Sequence, residues 1–148
     1  MSIRPATPED SVKIAQLLRA FYDQSGGIYG IPYDHASTIR TVLDVIVRGV
    51  CLVGHSSCAG AIIAPFPYNV SARVAQVAFW YFVDRKEICI FDQLYEACKQ
   101  AGATHINATA LPPKQTGKRF YQVRGMELAE FQYLGPLTKL PCKSDDQG

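Results

Sequence analysis

A chain of 148 residues with 48% hydrophobic and 19% charged residues has the composition of one folded domain, large enough to bury a core without metal or disulfide staples, and not that of a disordered chain. Its net charge of +2 is too small for broad electrostatic binding of nucleic acid, and the densest basic cluster holds only Lys114, Lys118, Arg119 and Arg124. No apolar run approaches the roughly 18 residues of a membrane span, because Arg73 and Asp84 bracket the longest candidate, so no membrane partner is expected.

Ser2 to Pro5 reads as a short first strand. Thr7-Pro8-Glu9-Asp10 then offers an N-cap threonine, a proline at the first helical position and acids in the first turn, so a helix is expected at once. Val12, Ala15, Leu18, Phe21 and Tyr22 keep helical spacing to about Asp23, where Ser25-Gly26-Gly27 ends the run. Tyr29 to Asp34 is a loop whose aromatic residues either pack or wall a binding cleft. A second helix is expected from about Asp34 to Arg48, with Ile39, Val42, Leu43 and Ile46 on one face and Gly49 as its stop.

From Val50 the period changes to that of strands. Val50–Gly54 and Ala59–Ala64 flank the polar His55-Ser56-Ser57 as a hairpin, and Pro65 and Pro67 end its second strand. After a loop around Asn69, Arg73 to Val83 reads as a long strand with Gln76, Ala78, Trp80 and Phe82 on one face and Val77, Phe79, Tyr81 and Val83 on the other. Both faces are largely apolar, as in a strand covered on two sides. The charged turn Asp84-Arg85-Lys86-Glu87 leads into a helix with Ile90, Phe91, Leu94, Tyr95 and Cys98 on its apolar face and Gly102 as its cap. Backbone N–H groups at that helix start, flanked by Arg85 and Lys86, make the turn an expected anion site. Thr104–Leu111 is the next strand, ended by Pro112-Pro113. A short helix from about Gln115 to Val123 and a last strand from Glu127 to Leu134 complete one domain over residues 1–136, and 137–148 is a polar tail.

The order strand, helix, helix, three strands, helix, strand, helix, strand gives an α/β fold: a mixed twisted sheet of about six strands with helices on both faces. The opening Ile3 to Asp10, the strand-turn-helix from Ala75 to Gly102, and Phe120-Tyr121-Gln122-Val123-Arg124-Gly125-Met126 together resemble the GNAT superfamily of acyl-CoA-dependent N-acetyltransferases. The last segment is similar to that family's F-Y-x-x-x-G-F. The resemblance covers residues 2 to 135, and in length the chain is most similar to small GNAT-like proteins of tailed phages. It implies direct transfer from acetyl-CoA to a primary amine of unknown identity. It further implies that Phe82 and Val83 serve the pantetheine arm, and that Asp84, Arg85, Lys86, Ile88 and Cys89 form the pyrophosphate turn. Asn107 would stand on the neighbouring parallel strand across the cofactor gap, and Tyr121 would be the general acid toward the leaving thiolate.

One departure from the family opens a second reading. Its phosphate turn is R/Q-x-x-G-x-G/A, and here no glycine occurs between Gly60 and Gly102. Counting from Arg85 puts Ile88 and Ile90 where glycine and a small residue belong; counting back from Gly102 puts Glu87 there. Either the chain is an acetyltransferase with a rebuilt turn, or it is a GNAT-fold binding or assembly protein that has lost the cofactor. The candidate general bases are Asp34, Asp84, Glu87, Glu127 and Glu130. Five cysteines, an odd number without repeated spacing and with no secretory leader before them, point to a reduced cytoplasm, the host's if the chain is phage-encoded. Cys51, His55 and Cys58 are too few and too close to predict a metal site. Ile28, Tyr29, Ile31 and Tyr33 with Phe66 and Tyr68 are the expected acceptor cleft or homodimer contact.

Overall fold

The computed structural model describes residues 2–25, 30–110, 117–129 and 137. Strand β1 (Arg4–Pro5) leads into a single 3-10 turn, Pro8–Asp10, and only then into α1 (Ser11–Gln24). The helix expected directly after Thr7 is delayed because Asp10 bends back on the start of the turn. Its carboxylate accepts from the Thr7 amide at 2.8 Å and takes a two-pronged bond from Arg4 at 2.8 and 2.9 Å. The Arg4 guanidinium, followed by the Thr7 amide, holds the Asp10 carboxyl far below the usual carboxylate range. Helix α2 (His35–Arg48) starts where the sequence places it, with the Asp34 side chain accepting from the Ser37 amide at 2.9 Å.

Strands β2 (Val50–Val53), β3 (Ser57–Phe66) and β4 (Asn69–Phe82) follow. Helix α3 (Ile90–Gln100), β5 (His105–Asn107) and α4 (Lys118–Gln122) complete the described elements. The described sheet has five strands in the order β1-β2-β3-β4-β5, antiparallel up to β4 and parallel between β4 and β5. It is the expected α/β fold with a mixed sheet and helices on both faces. Helix α3 covers one face, where Ala59, Ala61, Ala75, Ile90 and Leu94 are buried. Helices α1 and α2 cover the other, where Ile14, Val42, Val45, Val53 and Cys58 are buried. Each fully buried Ile, Leu, Val or Phe contributes about 1.5–3 kcal/mol, so the apolar stripes of the three helices fix which face each takes.

The strands differ from the sequence reading in several places. Strand β3 runs through Pro65 to Phe66 and β4 begins at Asn69, so Pro67 and Tyr68 form a tight hairpin turn. Pro65 is tolerated because β2 reaches only to the Ala61 pairing, leaving β3 with a single neighbour at that height. Alternation along β4 is broken by a bulge: Gly60 opposes Phe79 and Ala61 opposes Val77, leaving Ala78 unmatched. Val77 therefore joins Trp80 on the α3 face, while Phe79 and Tyr81 pack toward α1 and α2. The strand expected over Thr104–Leu111 pairs only at His105–Asn107, and residues 108–110 are not strand. Glu127 to Ala129 are not strand either, and the rest of the expected last strand, with all of the polar tail but Leu137, lies outside the described residues.

Candidate functional site

The bulge decides where a site can be. Strands β4 and β5 pair at Val74 with His105, Ala75 with Ile106 and Gln76 with Asn107. Thr104 pins the entry, its amide donating to the Arg73 carbonyl at 2.8 Å and its hydroxyl accepting from the Arg73 amide at 2.9 Å. Beyond Gln76 the bulged strand bends away, and among the described residues no strand pairs with that edge of β4 from Val77 to Phe82. Past this point β4 and the segment after Asn107 part, leaving a gap whose β4 wall has no strand partner among the described residues.

Tyr121 crosses the wedge. Its hydroxyl accepts from Trp80 Nε1 at 3.0 Å and donates to the Thr109 carbonyl at 3.0 Å, and the residue is only 8% exposed. Its ring lies among Trp80, Phe91 and Phe120, and Trp80 stacks on Phe120 at 5.1 Å and on Phe82 at 5.9 Å. Helix α4 is too short to stand alone and is fastened from outside. Arg124 makes a two-pronged bond to Asp92 on α3 at 2.6 and 2.9 Å, donates to the Phe120 carbonyl and lies 3.4 Å above the Phe120 ring. Gly117 starts the helix at φ +94, a conformation disfavoured for other residues, with the Tyr121 ring directly against it. Burial pushes the Tyr121 phenol up from its ordinary value and the Trp80 N–H pulls weakly the other way, so it stays protonated at neutral pH.

The turn after β4 is closed on itself. Arg85–Glu87 is a 3-10 turn in which Asp84 accepts from the Lys86 amide through its carboxylate at 2.9 Å and from the Glu87 amide through its carbonyl at 2.9 Å. The Ile88 amide donates to the Arg85 carbonyl at 3.2 Å, and the Phe91 amide to the Ile88 carbonyl at 3.4 Å. The amides of Lys86, Glu87, Ile88 and Phe91 are thus occupied within the turn, and no glycine opens its backbone to the close approach a phosphate makes in a glycine-bearing turn. The side chains of Arg85 and Lys86 beside the turn are exposed. Of the other expected turn residues, Val83 and Cys89 are exposed and Ile88 is half-buried; Asn107 is exposed as the last paired residue of β5.

Glu87 does not intrude on the phosphate position. It turns inward, 6% exposed, and its carboxylate accepts from the Ser56 amide at 3.0 Å, the Ser56 hydroxyl at 2.7 Å and the Ser57 hydroxyl at 2.6 Å. This latch fastens the turn to the β2–β3 loop, and Gly54 makes room for it: a β-carbon there would lie 2.1 Å from Glu87 Oε1. Asp34 and Asp84 are spent on capping, Glu127 is exposed, and Glu130 lies outside the described residues.

The remaining expectations separate. Cys51 and Cys58 are buried among the α1 and α2 contacts, with burial pushing the Cys51 thiol up to about 12, while His55 is exposed on the loop. Among the described residues no three side chains of the metal-binding kinds come together. No described helix is long and apolar enough to cross a membrane. Ile28 and Tyr29 lie outside the described residues; Tyr33 packs on Tyr22 and donates to the Ala15 carbonyl at 3.1 Å. Phe66 and Tyr68 pack on each other at the far hairpin, and among the described residues no aromatic contact links the two groups. Two shallow concavities, about 420 and 320 Å³, lie on the outer side of α3 and involve no residue of β4 or β5. The sequence reading missed Trp80 as a hydrogen-bond donor, the Thr109 carbonyl and the Ser56–Ser57–Glu87 latch. Spacings of 12 to 41 residues carry no local signal for any of them.

No family model matches the sequence, and no curated protein matches it either. Solved structures do. A possible acetyltransferase from Clostridium difficile 630 is similar with a TM-score of 0.68 at 13% identity, over 94% of this chain and 98% of that one. A predicted acetyltransferase from Clostridium acetobutylicum, crystallised with acetyl-CoA, is similar with a TM-score of 0.68 at 17% identity, over 90% and 95% of the two chains. A ribosomal-protein-alanine N-acetyltransferase from Brucella melitensis biovar Abortus 2308 has a TM-score of 0.62 at 17% identity, over 93% and 100%. The chain has the GNAT fold across nearly its whole length.

Proposed function

We propose that this chain is an N-acyltransferase of the GNAT type, which takes an acyl thioester along the open edge of β4 and passes the acyl group directly to a primary amine. The observation that carries this reading is the Tyr121 hydroxyl, buried, protonated and held at the mouth of the β4–β5 gap by Trp80 and Thr109. The likeness to acetyltransferases, one of them crystallised with acetyl-CoA, supports acetyl-CoA as the donor, which when bound supplies an activated acetyl group. Phe82 and Val83 close the end of the β4 edge that would face the pantetheine arm, and Asn107 ends the opposite strand. Tyr121 gives its proton to the departing sulfur, and the attacking amine loses one in turn. Of the acids considered, Glu127 is the one that is exposed and accepts no hydrogen bond among the described residues.

The closed turn favours a second reading, a GNAT-fold binding or assembly protein without a donor. Titration of acetyl-CoA and S-acetylpantetheine by calorimetry, with thermal unfolding alongside, separates the two. The enzyme reading expects both to bind and to raise the unfolding temperature. Because the turn has no glycine and four of its amides are already paired, the exposed Arg85 and Lys86 are the main contacts expected for the phosphates, and acetyl-CoA should bind no more than about tenfold tighter, a margin that shrinks in salt. No heat and no shift with either donor at millimolar concentration sinks the enzyme reading and leaves the second.

A further inference from the structure

The Tyr121 hydroxyl has two partners in the gap, and they are unequal. Thr109 offers a carbonyl, which can only accept a hydrogen bond from the phenol and would repel a phenolate. Trp80 offers an N–H, which can only donate, and its 3.0 Å bond strengthens as negative charge grows on the phenol oxygen. The indole is fixed for that task. It projects from β4 just past the bulge, half-buried, with Phe91 at 5.1 Å and Phe120 at 5.1 Å to hold its plane. Few fixed charges compete. Strand β4 and the Ala108–Ala110 segment present none to Tyr121; α3 presents Asp92, already paired with Arg124; and α4 itself carries Lys118 and Arg119.

We infer that Trp80 is a positioning residue for proton transfer by Tyr121: its indole N–H fixes the phenol at the gap and stabilises the phenolate left when the proton departs. The inference rests on the acyltransferase reading above. The step it describes is balanced. As the amine nitrogen bonds to the acyl carbon and the bond from that carbon to sulfur breaks, the sulfur takes the Tyr121 proton, the phenolate is held by Trp80, and the proton shed by the amine restores the phenol through solvent. The hydroxyl hydrogen rotates about its C–O bond, so Tyr121 can release Thr109 without moving its ring.

Trp80 is the chain's single tryptophan, which gives the test a readout independent of activity. In a spectrum of the ¹⁵N-labelled chain the lone indole N–H should exchange slowly with solvent and shift as Tyr121 ionises. Tyr121→Phe should abolish that pH-dependent shift and speed the exchange. For acyl transfer, Trp80→Phe keeps an aromatic ring at the position and removes the donor together with part of the ring packing, whose cost is read separately by thermal unfolding. It should lower kcat about tenfold with KM within about twofold, and move the alkaline limb of the kcat profile up by about one pH unit. An indole N–H that exchanges like free indole, or is indifferent to Tyr121→Phe, overturns the inference whether or not the chain is an enzyme. A coupled indole with unchanged kcat and pH profile in Trp80→Phe also overturns it. If the chain transfers no acyl group at all, the acyltransferase reading falls and this inference falls with it, whereas a failure confined to Trp80 leaves that reading standing.

Discussion

On the proposed acyltransferase reading, Tyr121→Phe should lower turnover by about 10²- to 10⁴-fold, the usual range for removing a general acid, while donor affinity stays within a few-fold. On that reading the two effects divide because the hydroxyl would meet the leaving sulfur, while the donor's length would lie along the β4 edge. The ring's packing against Phe91 and Phe120 survives the change. Trp80 Nε1 and the Thr109 carbonyl lose a partner, which costs about 1–3 kcal/mol of stability and is measured separately by thermal unfolding. Steady-state kinetics on a variant shown to be folded is the decisive measurement. Unchanged turnover removes Tyr121 from the chemistry.

The second large effect is on stability. Glu87→Ala should cost about 2–4 kcal/mol, because the Ser56 amide and the Ser56 and Ser57 hydroxyls are left facing an empty, mostly buried site. For a chain of this size that is a fall of roughly 5–15 °C in the unfolding temperature. A pH signature accompanies it. Burial alone would raise the Glu87 carboxyl, but the bonds from Ser57 and Ser56 outweigh burial, and its folded-state pKa lies below its ordinary value. A group depressed on folding stabilises the fold above its unfolded pKa, about 4.3, and that stabilisation is lost as the pH falls through the folded value. Glu87→Gln should flatten this acid limb while costing less at neutral pH. An acid limb identical in Glu87→Gln and the parent chain shows that the latch carries no charge-dependent energy.

The helices were legible because their signals are local. The apolar stripe from Ile90 to Cys98, the Asp34 cap and the stops after Asp23 and at Gly49 each act within a few residues, and the structure places α1, α2 and α3 there. The strands were legible in number and order rather than in length. Where Pro65 is tolerated depends on how far β2 reaches, and where β5 stops depends on a bulge in another strand. Composition says nothing about either. The strict alternation read along β4 failed at Ala78 for the same reason: a bulge is a property of two paired strands.

The stretch from Ala75 to Gly102 shows both sides of this division. Its sequence alone determined a strand, a charged turn without glycine and an amphipathic helix, because β-propensity, the missing φ freedom and the 3.6-residue period reside in the residues themselves. Only the tertiary structure decided what the turn does with its polar groups. Asp84 and the turn's own carbonyls occupy the amides of Lys86, Glu87, Ile88 and Phe91, and Glu87 turns inward to serines 30 and 31 residues away. The placement of Tyr121 between Trp80 and Thr109 was equally a tertiary matter, since hydrogen bonds across 41 and 12 residues exist only once the sheet has bulged and α4 has docked on α3.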